Sequence, residues 1–360
     1  STSAMGSHEI NSLYDASGAL TAFGVPAGEA ASLAMNGRYR FFSEELRLRG
    51  AAGRFPWALG GFASYGEMDV ADEAGALAAP ATAYSHARKD EIRELAVFGE
   101  FTYPFTHKIA VTLGARAFTT ELETRAATAR FVLGTDDVFA GRKKESDFAP
   151  KLEVSYRRAP GEMYYFVASE GYRTGGFNSG GVSPALFNGG VQPFRSYGGD
   201  ELWNLEVGAK RSFLKDRLSL RAALFDETWK NVQSDQLLAD GLPFAGNVGD
   251  AHVIGFEAES SWKISQNLRA DAALSLNESE IQKVNSSFPA PPESALPGAP
   301  HIILGGSLSY MRALRDDWSI DARLSSRYVG SSNITFADDR RTDIDSYVDV
   351  SVRFGVSHDG

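Results

Sequence analysis

Six histidines, His8, His86, His107, His252, His301 and His358, are the imidazoles on which acid–base or metal chemistry could rest. None sits in an HExxH or GxSxG context, so neither a zinc-hydrolase helix nor a nucleophile elbow is written here. His107 falls in a tight turn and His301 follows Pro300 at a strand start, positions that read as structural. Cysteine is absent, which removes thiol nucleophiles, Cys-type zinc sites and a disulfide framework. Asp343, Asp345 and Asp349 have a spacing that fits no EF-hand, and no glycine supplies its turn. Gly171–Gly176 lacks the Lys-Ser/Thr of a phosphate loop. The sequence thus predicts no catalytic residue, no metal site and no cofactor, and no enzyme.

Two other sets of side chains stand out. Arg173, Phe177, Asn178, Phe187, Phe194, Arg195 and Tyr197 lie among many Gly and Ser residues. Rings and guanidinium groups on such a loop can stack on or pair with a large ligand. The same stretch also fits a solvated loop whose motif residues hold a strand end, the role expected for Tyr172 and Gly175. The second set is Glu94, Glu100, Lys151, Glu153, Arg157, Glu206, Lys210, Glu257 and Glu259, which fall on the polar side of alternating runs. They could define a translocation path. The plainer expectation is charges that pair across neighbouring strands, because opposite charges facing each other do so.

The elements that must position these residues are strands. Leu95, Val97, Phe101 and Tyr103 alternate with Glu94, Glu100 and Thr102, and Trp203, Leu205 and Val207 with Asn204, Glu206 and Lys210. Period-two runs of this kind recur from near Tyr39 to near Phe354, give about 13 strands, and show no helical period. Tight turns at Pro104–Lys108, Arg158–Glu162, Leu214–Arg217, Ile264–Asn267 and Leu314–Asp317 alternate with long segments near 119–147, 174–199, 234–247, 278–300 and 331–345. In an antiparallel meander this puts every tight turn at one end, the geometry of outer-membrane barrels. Phe101, Tyr103, Phe105, Tyr156, Tyr164, Phe213, Trp262, Tyr310 and Trp318 sit near those turns, as in an interfacial aromatic girdle. A soluble all-β binding domain would alternate too, but has no need of the girdle or of the regular short and long connections.

Composition excludes further classes. The 36 basic and 46 acidic residues give a net charge of -10, which argues against nucleic acid. No apolar run approaches the ~18 residues of a membrane-spanning helix.

Several segments resemble the barrel of TonB-dependent outer-membrane receptors. "SEELRLRG" (43–50) with "RFPWALGGFASY" (54–65) resembles one family hairpin, and "AVFGEFTYPFTHKIAVTLGARAF" (96–118) another. "YYFVASEGYRTGGFN" (164–178) fits the family's "GYRSGGFN" pattern through Gly171, Tyr172, Arg173, Gly175, Gly176, Phe177 and Asn178. "ELWNLEVGAKRSFLKDRLSLRAALFDETWKNVQ" (201–233) resembles "E-GLK---D-RL-L-AALF---Y-N-Q", and "NVGDAHVIGFEAE" (247–259) resembles "N-G-A---GFE-E". The likeness runs in order over roughly residues 40–355.

The resemblance implies an antiparallel meander that is part of a barrel of about 22 strands in the outer membrane of a Gram-negative bacterium. It implies import of a scarce bulky nutrient (a ferric siderophore, cobalamin or an oligosaccharide) with TonB-derived energy. A passive porin-like channel is the alternative. The implied partners are the nutrient ligand, a plug domain, the TonB complex and outer-membrane lipid. Residues 39–360 are expected to be a partial barrel lacking plug and terminal strands, open along both edges. Residues 1–38 are expected to be a loop or a junction. Leu95, Val97, Leu205, Val207, Leu220, Leu304 and Ile320 are expected to face lipid, with Leu220 near mid-membrane. Glu100, Lys151, Glu206, Arg221 and Glu257 are expected to face the lumen.

Overall fold

The computed structural model describes residues 1–17, 26, 28–77, 82–179, 195–237, 243–285, 288, 293–314, 317–336 and 343–358. Among these residues there is no helix. The strands are β1 (Thr2–Asp15), β2 (Ala31–Ala52), β3 (Phe55–Ala76), β4 (Thr82–Pro104), β5 (Ile109–Arg130) and β6 (Thr135–Ala159). Then come β7 (Glu162–Arg173), β8 (Gly176–Phe177), β9 (Ser196–Tyr197), β10 (Asp200–Phe213), β11 (Leu218–Leu237) and β12 (Pro243–Lys263). The last are β13 (Leu268–Val284), β14 (Ile302–Ala313), β15 (Trp318–Val329), β16 (Ser332–Asn333), β17 (Asp343–Ile344) and β18 (Tyr347–His358). Fourteen of them form one sheet in chain order, and β8–β9 and β16–β17 are two-stranded additions. Neighbours in the sheet are antiparallel, and β1 and β18 form its two ends.

All five predicted tight turns fall between consecutive strands, and a sixth, Gly53–Arg54, joins β2 to β3. Gly161 adopts φ 73° in the β6–β7 turn, a left-handed conformation that costs glycine little. Two sequence expectations give way. Residues 1–38, expected to be a loop or junction, hold β1 and the start of β2 in a 14-residue ladder. Much of the segments 119–147 and 234–247, expected to be long loops, belongs to strands β5, β6, β11 and β12.

The strands of the first half are therefore long: 23 residues in β4 and 25 in β6. At ~3.3 Å per residue these reach about 75–85 Å, more than twice the length of the ~9–11 residues that a bilayer crossing takes. The chemistry of one face changes along them. Leu95, Val97, Phe101 and Tyr103 of β4 are exposed, as are Leu59 of β3 and Leu113 of β5. Beyond Leu95 the same face turns charged through Arg93, Glu91 and Lys89, with Glu67, Glu123 and Arg142 alongside in register. Ion pairs lace this part: Arg40–Glu67 at 3.2 Å, Arg40–Asp69 at 3.0 Å, Arg93–Glu91 at 3.5 Å and Arg142–Glu123 at 3.6 Å. Aromatic side chains gather at the opposite, tight-turn end, where Phe55 stacks on Phe101 and Tyr103 and Tyr156 stacks on Tyr164. Leu220 is the third residue of β11 and so lies near that end, not halfway along.

Two small clusters of buried apolar side chains lie at the long-connection end. One joins Ala16, Ala31, Ala74, Ala83 and Tyr84; the other joins Val232, Val248, Ala251, Ile281 and Phe336. Beside the second, Gly249 takes φ 144° next to a register shift at Asp250/Ala251. A Cβ there would lie 1.9 Å from the Lys283 carbonyl oxygen, so the ladder closes at this point only around glycine.

Candidate functional site

Side chains opposite the apolar row share the second face. Lys151 lies 3.9 Å from Glu100 and 3.6 Å from Glu153, and Arg221 lies 3.9 Å from Glu259. The Tyr165 hydroxyl donates to Glu206 at 2.6 Å, and the Lys210 ammonium sits 5.1 Å from the Tyr165 ring centroid. Glu257 accepts from Ser275 at 3.5 Å. Arg157 continues this face, two steps along from Glu153 and Ser155 in the β6 alternation. Small residues leave room between the charges. A cavity of about 490 Å³ is lined by Arg221, Glu259, Arg269, Asp271, Arg323 and Gly305 among others. A second of about 480 Å³ adjoins it at Tyr165, Glu206, Lys210, Glu257 and Arg327. Such a wall suits polar, hydrogen-bonding ligands or a polar protein surface.

Higher on this face an aromatic and ionic knot forms around Arg116. Its guanidinium donates to Glu94 at 2.5 Å and to the Tyr172 hydroxyl at 3.1 Å, and lies 5.0 Å from the Phe62 ring. Tyr172 stacks on Phe118 with ring centroids 3.4 Å apart. The glycine-rich segment that follows Tyr172 runs over the face as the β8–β9 hairpin. It touches β4, β5 and β6 on one side and β11 and β12 on the other. Strands β4 and β12 are six places apart in the sheet, about 29 Å along the arc at ~4.8 Å per strand. The consecutive residues Asn178 and Ser179 can meet β12 and β4 only if the sheet curves around them, so this face is concave.

The predicted binding residues are positioned by that hairpin. Arg173 grips Asp200, donates to the Gln233 carbonyl at 2.9 Å and covers the Trp229 ring at 4.9 Å. Phe177 is 9% exposed and packs on Phe139 at 5.4 Å. Asn178 closes a two-bond clamp with Ala245, accepting its N–H at 2.9 Å and donating to its carbonyl at 2.8 Å. Arg195 pairs with Asp137 at 2.6 Å and lies over Phe139 at 5.1 Å. The Tyr197 carbonyl accepts from Lys143 at 2.5 Å, and burial pushes the Tyr197 hydroxyl above the usual phenol range. Phe187 and Phe194 lie outside the described residues. The described members are therefore engaged with the wall. Gly175 is equally constrained, since a Cβ would come within 2.3 Å of both Lys143 Nζ and the Tyr197 carbonyl oxygen.

Several anchors carry no obvious flag in the sequence. Asn231 donates to the Gly199 carbonyl at 2.7 Å, and Asn247 accepts from the Gly198 N–H at 2.7 Å. Gln233 donates to the carbonyls of Thr174 and Gly198. Asn231, Gln233 and Asn247 are the polar ends of the family-like runs 201–233 and 247–259, so those runs held the available signal. Asp72, His86 and Ser179 also meet here, with His86 Nδ1 3.1 Å from Asp72 and Nε2 3.0 Å from Ser179 Oγ. Asp72 and His86 lie on adjacent strands, but 93 residues separate His86 from Ser179, and no local pattern announces that meeting.

Comparison with known proteins agrees with this architecture. The family described as TonB dependent receptor-like, beta-barrel matches residues 7–359. The ferric yersiniabactin uptake receptor FyuA from Yersinia pestis is similar at a TM-score of 0.75 and 18% identity, over 92% of this chain and 48% of that one. The siderophore receptor PiuA from Acinetobacter baumannii is similar at 0.64 and 15%, over 90% and 50%. The copper transporter OprC is similar at 0.66 and 15%, over 97% and 53%. The chain thus spans about half the length of these structures.

Proposed function

Because the chain belongs to the TonB-dependent receptor-like β-barrel family, we propose that it forms a large part of the barrel wall of an outer-membrane active-transport receptor. The observation that carries this is the two-faced, 14-stranded meander, with an apolar exposed row on one side and paired charges around polar cavities on the other. On this reading the exposed row faces lipid and the concave face lines the lumen. The tight turns lie in the periplasm, and the charged upper strands stand outside the cell. The cargo is a scarce bulky nutrient such as a ferric siderophore, cobalamin or an oligosaccharide. A plug domain fills the lumen and couples it to TonB, so the barrel supplies walls and mouth and performs no covalent chemistry. Uptake by cells carrying or lacking the gene, with and without TonB, tests this for each of the three cargo classes. Gene- and TonB-dependent accumulation of one class is expected. Accumulation that persists without TonB would point to a passive channel, and none in any class would overturn the assignment.

A further inference from the structure

The β8–β9 hairpin is tied to the wall in two different ways. On the β11–β12 side the ties run mostly through backbone: Asn178 with Ala245, Asn231 with Gly199, Asn247 with Gly198, and Gln233 with Thr174 and Gly198. Arg173 and Asp200 lock the base of the hairpin on the same side. This side resembles a hinge, with short amides holding the chain where it leaves and rejoins the sheet.

The far side is held by β6, where Lys143 reaches the Tyr197 carbonyl and Asp137 pairs with Arg195, and by side chains from β3, β4 and β5. His86 stands between Asp72 and Ser179, each within hydrogen-bond distance of one ring nitrogen. All three are nearly removed from solvent, at 6%, 6% and 3% exposure for Asp72, His86 and Ser179. Thr128 donates to the Ser179 carbonyl at 3.3 Å, and Arg88, paired with Asp90, reaches Ser179 Oγ at 3.5 Å. Thr124 in turn donates to Asp90 at 2.7 Å. A buried polar chain of this kind is stable only when its members are satisfied together, because a group left without its partner carries the whole desolvation cost.

We propose that Asp72–His86–Ser179 is a latch that fastens the chain just after β8 to strands β3 and β4 across the concave face. Asp72 fixes the imidazole, His86 receives Ser179, and Thr128 fixes the backbone beside it. The arrangement has the order of a nucleophilic relay, but Ser179 is enclosed, so its hydroxyl serves attachment. The latch does not depend on which nutrient is carried.

The absence of cysteine makes the latch directly testable. Phe177→Cys, at a buried position on β8 that leaves Ser179 intact, gives the full chain a single thiol, whose reaction with a maleimide reports how often this stretch lifts. Labelling is expected to be at least about tenfold slower than at Lys108→Cys, which lies exposed in a tight turn. Adding Thr128→Val, which keeps the side-chain shape, or His86→Gln, which keeps a polar group, should accelerate labelling several-fold. Adding His86→Leu should accelerate it by about tenfold or more, the factor that corresponds to about 1.4 kcal/mol. Circular dichroism confirms that each variant keeps its strands. Labelling of Phe177→Cys as fast as Lys108→Cys, or at one rate whatever stands at positions 86 and 128, would overturn the latch. A failure to import any tested nutrient would leave these rates unchanged, so the two ideas fail separately.

Discussion

Leu224→Arg should be among the most damaging single changes on the exposed face, and the structure sets the magnitude. Leu224 lies six residues beyond Leu218, where β11 starts opposite Trp262. Six residues at ~3.3 Å give about 20 Å along the strand, or about 14 Å along the membrane normal at a tilt near 45°. In an apolar band ~25 Å tall this is close to the middle, where an arginine on the lipid face costs about 2–4 kcal/mol. Leu220 lies only about 5 Å from the start of the strand by the same measure, so Leu220→Arg should cost about 0–1 kcal/mol. Ala223, next to Leu224 but on the other face, is paired in register with Glu257. An arginine there meets a carboxylate, so Ala223→Arg should change stability by less than about 1 kcal/mol. Urea titration of the protein folded into phospholipid vesicles, followed by tryptophan fluorescence, gives the three values. Equal losses at Leu220 and Leu224, or the largest loss at Ala223, would refute the assignment of faces and depth.

Three further outcomes follow from single contacts. Gly249→Ala forces a Cβ against the Lys283 carbonyl at a φ that suits glycine; we expect a loss above about 2 kcal/mol, read from the same titration. Asp200→Asn removes the charged partner of Arg173 while keeping an acceptor for the Gln233 N–H; about 1–3 kcal/mol should be lost, and limited proteolysis should cut faster within residues 174–199. In the ion pairs of Arg40 with Glu67, Arg93 with Glu91 and Arg142 with Glu123, each arginine is at least half exposed. Raising salt to about 1 M should therefore move the unfolding midpoint only slightly, by less than about 1 kcal/mol of stability.

The strands near the tight turns were legible because one face there must be apolar, and the resulting alternation also located all five predicted turns. Legibility fades where that requirement ends. Along "TTELETRAATAR" (119–130) both faces are polar, so the upper half of β5 carries little period-two contrast although it pairs throughout with β4 and β6. Strand β1, with Gly6, Ser7, His8, Glu9 and Asn11, is equally mute. The glycine-rich motif was recognisable, but its direction was not. Phe177 and Asn178 look like free binding groups in sequence, whereas the curvature of the sheet between β4 and β12 turns them onto the wall. Curvature is a collective property of many pairings, and it also unites Ser179 with His86.

Sheet order that equals chain order has a consequence for how the molecule is made. Each new strand needs only to find the strand just before it, so the entropy of closing a loop is paid in short, similar instalments. Any number of finished hairpins already has native neighbours, which lets assembly advance one hairpin at a time from either end. The β8–β9 hairpin breaks this rule. Its contacts with β4 and with β12 require wall on both sides to exist first. It should therefore settle late, as a report that the curve has reached its proper radius.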